Sequence, residues 1–455
     1  MKVFRNVVTA MLLVVIFALS FSCQQEQTVT PQNVIIIIGD GAGFNQLQAG
    51  SLYLHGEKNA LTAHDFPIQV AATTYSASGF GYDAQQVQAD FGYLKQKPTD
   101  SAASGTALST GTKTYNGAIG VDTLKQPLTH VFTMAEDAGK ATGVVTSVQF
   151  SHATPAAFIA HNESRGNYHA IAREMILDSR ADVIMGCGHP FYTDDSHRLP
   201  EPNYKMLSEE EWQALQDGTA GGDADGDGQA DSWTFVEYRQ DFQALTEGDT
   251  PNRVFGMPQV ASTLQADRSG AEEQTEPYFP PLNENIPTLA EMAQGAINVL
   301  DNDPDGFYLM IEAGAIDWAC HGNHGPRMLE EVIDLENTIK AVVEWVETNS
   351  SWDETLVIVT ADHETGYLTG PESGAVATAS GDSTAQYNAL VGTGQGNVPE
   401  LEFHSGGHTN SLVPVLAKGA GSDGLTTLAD QEDPMWGAYL DNTDIPNYLK
   451  GFLVE

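Results

Sequence analysis

Ser101 stands near the head of a small-residue run, Thr99-Asp100-Ser101-Ala102-Ala103-Ser104-Gly105-Thr106-Ala107. The run reads as the start of a helix. Ser101 falls in its first turn, where unpaired backbone N–H groups favour an anion. A hydroxyl in that position can attack phosphorus once something lowers its pKa. Gly105 and Ala107 allow other groups to approach closely. The same stretch also describes an Asp or Ser N-cap on an ordinary alanine-rich helix. Other residues must decide between the two.

Hard metal ligands recur further along the chain. Asp317 and His321 are spaced to share one helix face, where both can reach one cation. Asp362-His363 ends an apolar run and offers adjacent oxygen and nitrogen ligands. Asp40 sits in a Gly-Asp-Gly turn, and His408 follows two glycines. Singly, these read as a surface helix pair, two turns and a loop histidine. Together they supply enough carboxylates and imidazoles for more than one cation. His324 and His404 lie near these positions and read as loop histidines, with outer ligands as the alternative.

Elements able to position such groups are visible in the apolar pattern. Val34–Ile38, Gly143–Ser147, Val183–Met185, Phe307–Ile311 and Thr355–Thr360 are too apolar to have a polar face, as in buried parallel strands. Helical segments separate them, including Tyr168–Leu177, Thr288–Leu300 and Met328–Thr348. The alternation predicts an α/β fold, doubly wound, with a mostly parallel central sheet flanked by helices. Its strands end in polar residues, and ligands bind beyond the carboxyl ends of such sheets. Residues 33–455 read as a single catalytic domain. Segments at about 189–285 and 368–405 interrupt the alternation and read as inserted loop regions, the second a mobile loop near the site.

The N-terminus is set apart. Lys2 and Arg5 precede the apolar run Val7–Leu19, which is too short to cross a bilayer comfortably. Residues 1–22 therefore read as a signal peptide and 23–32 as a tether. Cys23 after Ser22 resembles a bacterial lipoprotein box, although Phe21 is atypical there. The expectation is export to the periplasm or cell envelope with a lipid on Cys23; the alternative is free secretion. Cys187 and Cys320 are the other cysteines, and spacing does not show whether they pair.

The chain carries 61 acidic against 20 basic residues, a net charge of −41. That excludes a nucleic-acid-binding surface and polybasic membrane docking. It suits a heavily solvated surface in a saline setting. It also requires strong local positive charge wherever an anionic substrate enters.

From Asn33 to about Ser422 the chain resembles the alkaline phosphatases. The matching stretches are Ile38–Gly43, Thr99–Ser104, Thr110–Gly117, His152–Ala157, Glu163–Arg165, Glu312–Asp317, Thr360–Glu364 and Gly407–Thr409, in the family's order. The resemblance implies a phosphomonoesterase in which Ser101 becomes a phosphoserine and Arg165 grips two phosphate oxygens. It implies one Zn²⁺ held by Asp317, His321 and His408, and a second by Asp40, Asp362 and His363, with Ser101. It implies Mg²⁺ held by Asp40, Thr154 and Glu312. The donor types suit those ions: imidazole and carboxylate for zinc, carboxylate and hydroxyl for magnesium. Small phosphorylated substrates are the expected partners, and a homodimer is common in the family.

Two positions depart from one pattern in that family. His152 stands where some members carry Asp beside magnesium, and Trp318 where some carry Lys beside the zinc-ligating Asp317. His152 is expected to act on magnesium through water and to weaken its binding. Loss of the lysine charge predicts weaker phosphate retention and faster turnover; Trp318 reads either as a packing residue or as a substrate platform. Separately, Asp223, Asp225, Asp227 and Asp231 follow the first nine positions of a calcium loop, with Gly228 and Gly226 between them. The closing glutamate is missing, with Glu237 the nearest substitute, so structural Ca²⁺ and a solvated acidic turn both stand.

Competing functions are a phosphodiesterase of the same superfamily and, in a different class, a non-catalytic phosphate-binding lipoprotein. A sulfatase would need Pro and Arg after its modified residue, which Ser101-Ala102-Ala103-Ser104-Gly105 lacks.

Overall fold

The computed structural model describes residues 29–224, 228–270, 274–377 and 383–454. One sheet dominates it. Its strands in chain order are β1 (Asn33–Gly39), β2 (Ile68–Thr73), β3 (Ala141–Gln149), β4 (Val183–Cys187), β5 (Thr234–Val236), β6 (Val254–Gly256), β7 (Phe307–Ala313) and β8 (Thr355–Thr360). The C-terminal part adds β9 (Val413–Gly419), β10 (Gln431–Asp433) and β11 (Gly437–Asp441). The order across the sheet is β10-β11-β2-β9-β8-β1-β7-β3-β4-β6-β5. β9 runs antiparallel to both neighbours and β10 to β11; the other pairings are parallel. The expected doubly wound, mostly parallel α/β architecture is what the chain forms.

β1 shows why. Its run of four isoleucines is buried, as are flanking β7 and β8, so side chains on both faces are covered by helices. Each buried Ile contributes about 1.5–3 kcal/mol. The five strands read from the sequence all form, Thr355–Thr360 with the same bounds and the others longer by two or four residues. The segment expected as an insertion at 189–285 contributes β5 and β6 to one edge of the sheet. Their three residues each, among Asp-, Gly- and Pro-rich neighbours, are too short to show a period.

Six helices matter for the site: α1 (Phe44–His55), α2 (Ser101–Thr110), α3 (Ala153–Ile159), α4 (Leu289–Leu300), α5 (Ala315–His321) and α6 (Gly325–Asn349). All ten residues of α2 are buried, so it has no solvent face. Small side chains permit this. A Cβ on Gly105 would lie 3.1 Å from the Ala157 Cβ and 3.4 Å from the Thr154 Cα, so the glycine sets how closely α2 meets α3. α4 and α6 cover one face with their apolar stripes, and Thr288 with Glu291 closes a capping box at the start of α4.

Of the calcium-loop candidates, Asp225 and Asp227 lie outside the described residues. Asp223 accepts from the Gly228 N–H (3.0 Å) and Asp231 from the Ala224 N–H (2.9 Å), closing the turn on itself. Residues 1–28, including Cys23, are also outside. Among the described residues no helix is long and apolar enough to cross a membrane. Cys187 and Cys320 are both buried free thiols.

Candidate active site

The carboxyl ends of four adjacent parallel strands, β8, β1, β7 and β3, build the site. Asp362-His363 follows β8, Asp40 follows β1, Glu312 lies at the end of β7, and His152 and Thr154 lie just beyond β3. α5 carries Asp317 and His321 on one face. Gly41 has φ +74°, and a Cβ there would meet the Asp317 Cα at 2.7 Å; only glycine lets the β1 turn lie against α5. His408 arrives from a short antiparallel pair, His408–Thr409 against Glu364–Thr365.

Ser101 is the first residue of α2 and is 2% exposed. Its Oγ lies 3.2 Å from His363 Nε2. Asp100 caps the helix by accepting from the Ala103 N–H (3.0 Å), and the same oxygen accepts from the Gly117 N–H (3.1 Å). The N-cap reading of this stretch is the one the helix shows, and the cap fixes the position of Ser101. The other Asp100 oxygen takes a hydrogen bond from Arg165 Nη1 at 3.1 Å. Arg165 Nη2 lies 3.2 Å from His152 Nε2. The guanidinium is thereby fixed before any ligand arrives.

Around the serine the ligand candidates fall into groups. His321 Nε2 is 3.3 Å from Asp317 Oδ2, His408 Nε2 is 3.4 Å from Asp317 Oδ1, and the two Nε2 atoms are 3.1 Å apart. The Nδ1–H of His321 donates to the Gly406 carbonyl and that of His408 to the Thr99 carbonyl, each at 2.8 Å. Such bonds fix the tautomer that leaves Nε2 free as a ligand. His363 also lies close enough to join Asp317 and His408 around one point. Asp40, Asp362 and His363 form a second group and Asp40, His152 and Glu312 a third, with ligand atoms of each group within 4.8 Å of one another.

The bonding of these carboxylates is one-sided. Asp362 Oδ1 accepts from the backbone N–H of Gly41 (3.2 Å) and of His363 (2.8 Å), and Glu312 Oε2 accepts from Thr146. Asp362 Oδ2, Glu312 Oε1, both Asp40 oxygens, Thr154 Oγ1 and His152 Nδ1 are buried without a hydrogen-bond partner. Buried polar atoms left so are costly. Burial pushes Glu312 up to about 7, and burial with the nearby Asp317 charge does the same to Asp362. Burial and the charges of Asp362, Asp317 and Glu312 push Asp40 well above the carboxylate range. Burial and His408 hold His363 low, and burial and Arg165 lower His152 to about 3. Around Asp40, Asp362, Glu312, His152 and His363, carboxylates that resist ionising and imidazoles that resist protonation form a cluster short of positive charge. Metal cations at these points would supply it, so the residues present fit the metals. At Asp317 the balance is reversed: hydrogen bonds with Asp317 raise His321 to about 9 and raise His408, and hold Asp317 itself well below the carboxylate range.

His152 joins Asp40 and Glu312 in the third group. Trp318, partly buried, packs edge-on against the His152 ring at 5.7 Å and joins Val148, Ala266 and Ala315. His404 bonds Thr369 Oγ1 (2.8 Å), and His324 Nδ1 accepts from the Arg327 N–H (3.1 Å) at the head of α6; neither joins the ligand groups. A buried chain that the sequence reading missed supports the serine helix. Lys113 Nζ donates to Asn442 Oδ1 (2.7 Å), Asn442 Nδ2 to Ser104 Oγ (3.1 Å), and Ser104 Oγ to the Asp362 carbonyl (2.6 Å). Lys113 belongs to a quoted stretch; nothing near Asn442 in sequence signals its part.

The sequence profile described as "Alkaline phosphatase" matches residues 31–400. The alkaline phosphatase of Escherichia fergusonii is 31% identical over 426 residues, covering 88% of this chain and 84% of that one. The tissue-nonspecific isozyme of Homo sapiens is 28% identical over 373 residues, 75% of this chain and 64% of that one. Among solved structures, a cold-active alkaline phosphatase from a psychrophilic Shewanella superposes with a TM-score of 0.65 at 25% identity, covering 93% of this chain and all of that one (100%). A histidine-to-glutamate variant of the TAB5 alkaline phosphatase, described with magnesium bound in its M3 site, has a TM-score of 0.62 at 24% identity, with 94% and 99% covered. With that profile matching most of its length, the chain is a phosphatase and belongs to the alkaline phosphatase family.

Proposed function

We propose that the protein hydrolyses phosphate monoesters through a phosphoserine on Ser101. The observation that carries this is the meeting of Ser101 Oγ with His363 Nε2 at 3.2 Å, beside partnerless carboxylate oxygens and a pre-set Arg165. Asp317, His321 and His408 would hold one zinc; Asp40, Asp362 and His363, with Ser101, a second; Asp40, Thr154 and Glu312 a magnesium. When bound, such ions supply Lewis-acid stabilisation of charge on the entering and leaving oxygens.

Ser101 Oγ attacks phosphorus in line and the ester oxygen leaves on the opposite side. The planar fork of Arg165 pairs with two non-bridging oxygens, and Asp100 holds the fork in register. Preset donors of this kind lose little on binding and act where charge spreads in the transition state. The buried floor around Asp40 and Glu312 keeps bulk water from the back of the phosphoryl group. Water then cleaves the phosphoserine and returns Ser101. A monoester presents more non-bridging charge to Arg165 than a diester, which favours the first substrate class.

Metal content of the purified protein, with initial rates on one aryl monoester, one diester and one sulfate ester, tests this. Zinc near two equivalents with monoesterase dominant is expected. Dominant diester turnover, or no turnover by metal-replete protein, would overturn it. Export with a lipid on Cys23 is proposed from the N-terminal sequence; Cys23→Ser should move activity from the membrane to the soluble fraction.

A further inference from the structure

The cleft above the site is a cavity of about 590 Å³ whose mouth brings Ser78, Lys97 and Asn116 together with His321 and His408. Lys97 is the lysine on this rim. Its backbone is in the left-handed region (φ +47°), which a non-glycine residue adopts only when its surroundings hold it there. Asn116 Nδ2 donates to the Pro98 carbonyl at 3.0 Å and ties this segment to the next wall. The Lys97 ammonium lies 4.9 Å from the centroid of the Phe80 ring, itself 58% exposed. Lys113 and Lys125, by contrast, are spent on Asp441 and Glu163. The acidic residue on the same rim, Asp100, is already paired with Arg165.

We propose that Lys97 forms a leaving-group subsite selective for phosphomonoesters whose alcohol portion is itself anionic, carrying a carboxylate or a second phosphate. The inference rests on the reading of Ser101 as nucleophile. In the proposed reaction the leaving oxygen departs on the side opposite Ser101 Oγ, and His321 and His408 of the proposed metal group open into the cavity that Lys97 lines. An anionic group beyond that oxygen meets Lys97 in a chain whose net charge of −41 would otherwise repel it. A neutral leaving group gains nothing there. The ammonium lies over the face of the Phe80 ring in a cation–π contact.

Glycerol 2-phosphate and 2-phosphoglycerate test this, because they differ by a hydroxymethyl against a carboxylate. The readout is the ratio of kcat/KM for 2-phosphoglycerate to that for glycerol 2-phosphate. Lys97→Gln should lower the ratio about fivefold, as expected for one partly screened charge pair. Lys97→Glu should lower it further, Lys97→Arg should hold it, and high salt should shrink the difference. A ratio within twofold of the parent in both Lys97→Gln and Lys97→Glu overturns the subsite. Equal losses on both substrates also overturn it, since they mark general attraction of phosphate. If the parent hydrolyses neither ester while metal-replete, the monoesterase reading fails first and the subsite with it.

Discussion

Replacing Arg165 by Ala removes the side chain proposed to grip two phosphoryl oxygens at once. In the structure the guanidinium is held by Asp100 at 3.1 Å and faced by His152 at 3.2 Å, and its side chain is 27% exposed. Little ordering is therefore left for substrate to impose, and nearly all of the contact energy reaches the transition state. Two charge-assisted hydrogen bonds are worth about 1.5–3 kcal/mol each. Asp100, left without its partner beside the anionic phosphoryl group and with its side chain only 19% exposed, adds like-charge repulsion that solvent screens only in part. A total of about 4 kcal/mol corresponds to roughly a thousandfold fall in kcat/KM for an aryl phosphate monoester. A diester, with one fewer charged oxygen, should fall by about thirtyfold, roughly half of that free energy. The assay is kcat/KM on both esters, with inhibition by inorganic phosphate and a melting curve as controls. A monoester loss below tenfold, or an equal loss on the diester, refutes the assigned grip.

Further outcomes follow from other contacts. Ser104→Ala breaks two buried hydrogen bonds and should cost about 1–3 kcal/mol of unfolding free energy while hastening chelator-driven zinc loss; unchanged zinc retention would leave that chain without influence on Asp362. Trp318→Lys places a cation near the phosphate and should slow phosphate release, seen as a lower kcat with tighter phosphate inhibition; an unchanged release rate contradicts the role given to the missing charge. Removing metal with a chelator should lower the melting temperature by several degrees, since buried carboxylates lose their counter-charge, and zinc with magnesium should restore it. Glu136, far from these ligands, is pushed by burial from 4.5 up to about 7. Its protonated form favours the folded state, so that stability is full below pH 4.5 and is lost as pH rises to about 7. Glu136→Gln should flatten denaturant-measured stability across that window by about 2 kcal/mol, and an unchanged slope would count against it.

Much of the candidate site was readable because each proposed ligand stands beside a strand end or within one helix turn. Asp40, Glu312 and Asp362-His363 follow runs that can only be buried strands, and Asp317 and His321 share a helix face by spacing alone. Proximity between those pieces was not readable: the bond that orients His408 joins it to Thr99 across 309 positions. Asn442 is similar, because a lone asparagine just after a strand looks like any turn residue until Ser104 and Lys113 are found against it. Strands β5 and β6, three residues each at one end of the sheet, escaped for a different reason. Short strands are decided by the sheet they join, and local periodicity carries little of that information.

The central claim is that Ser101 carries the phosphoryl group during turnover. Acid quenching of the metal-replete protein during steady hydrolysis of an aryl monoester, followed by peptide mass spectrometry, reads this directly. A phosphoryl group on the peptide containing Ser101, absent in Ser101→Ala together with activity, is the predicted result. Sustained turnover by Ser101→Ala, or a phosphoryl group on a different residue, would contradict the account.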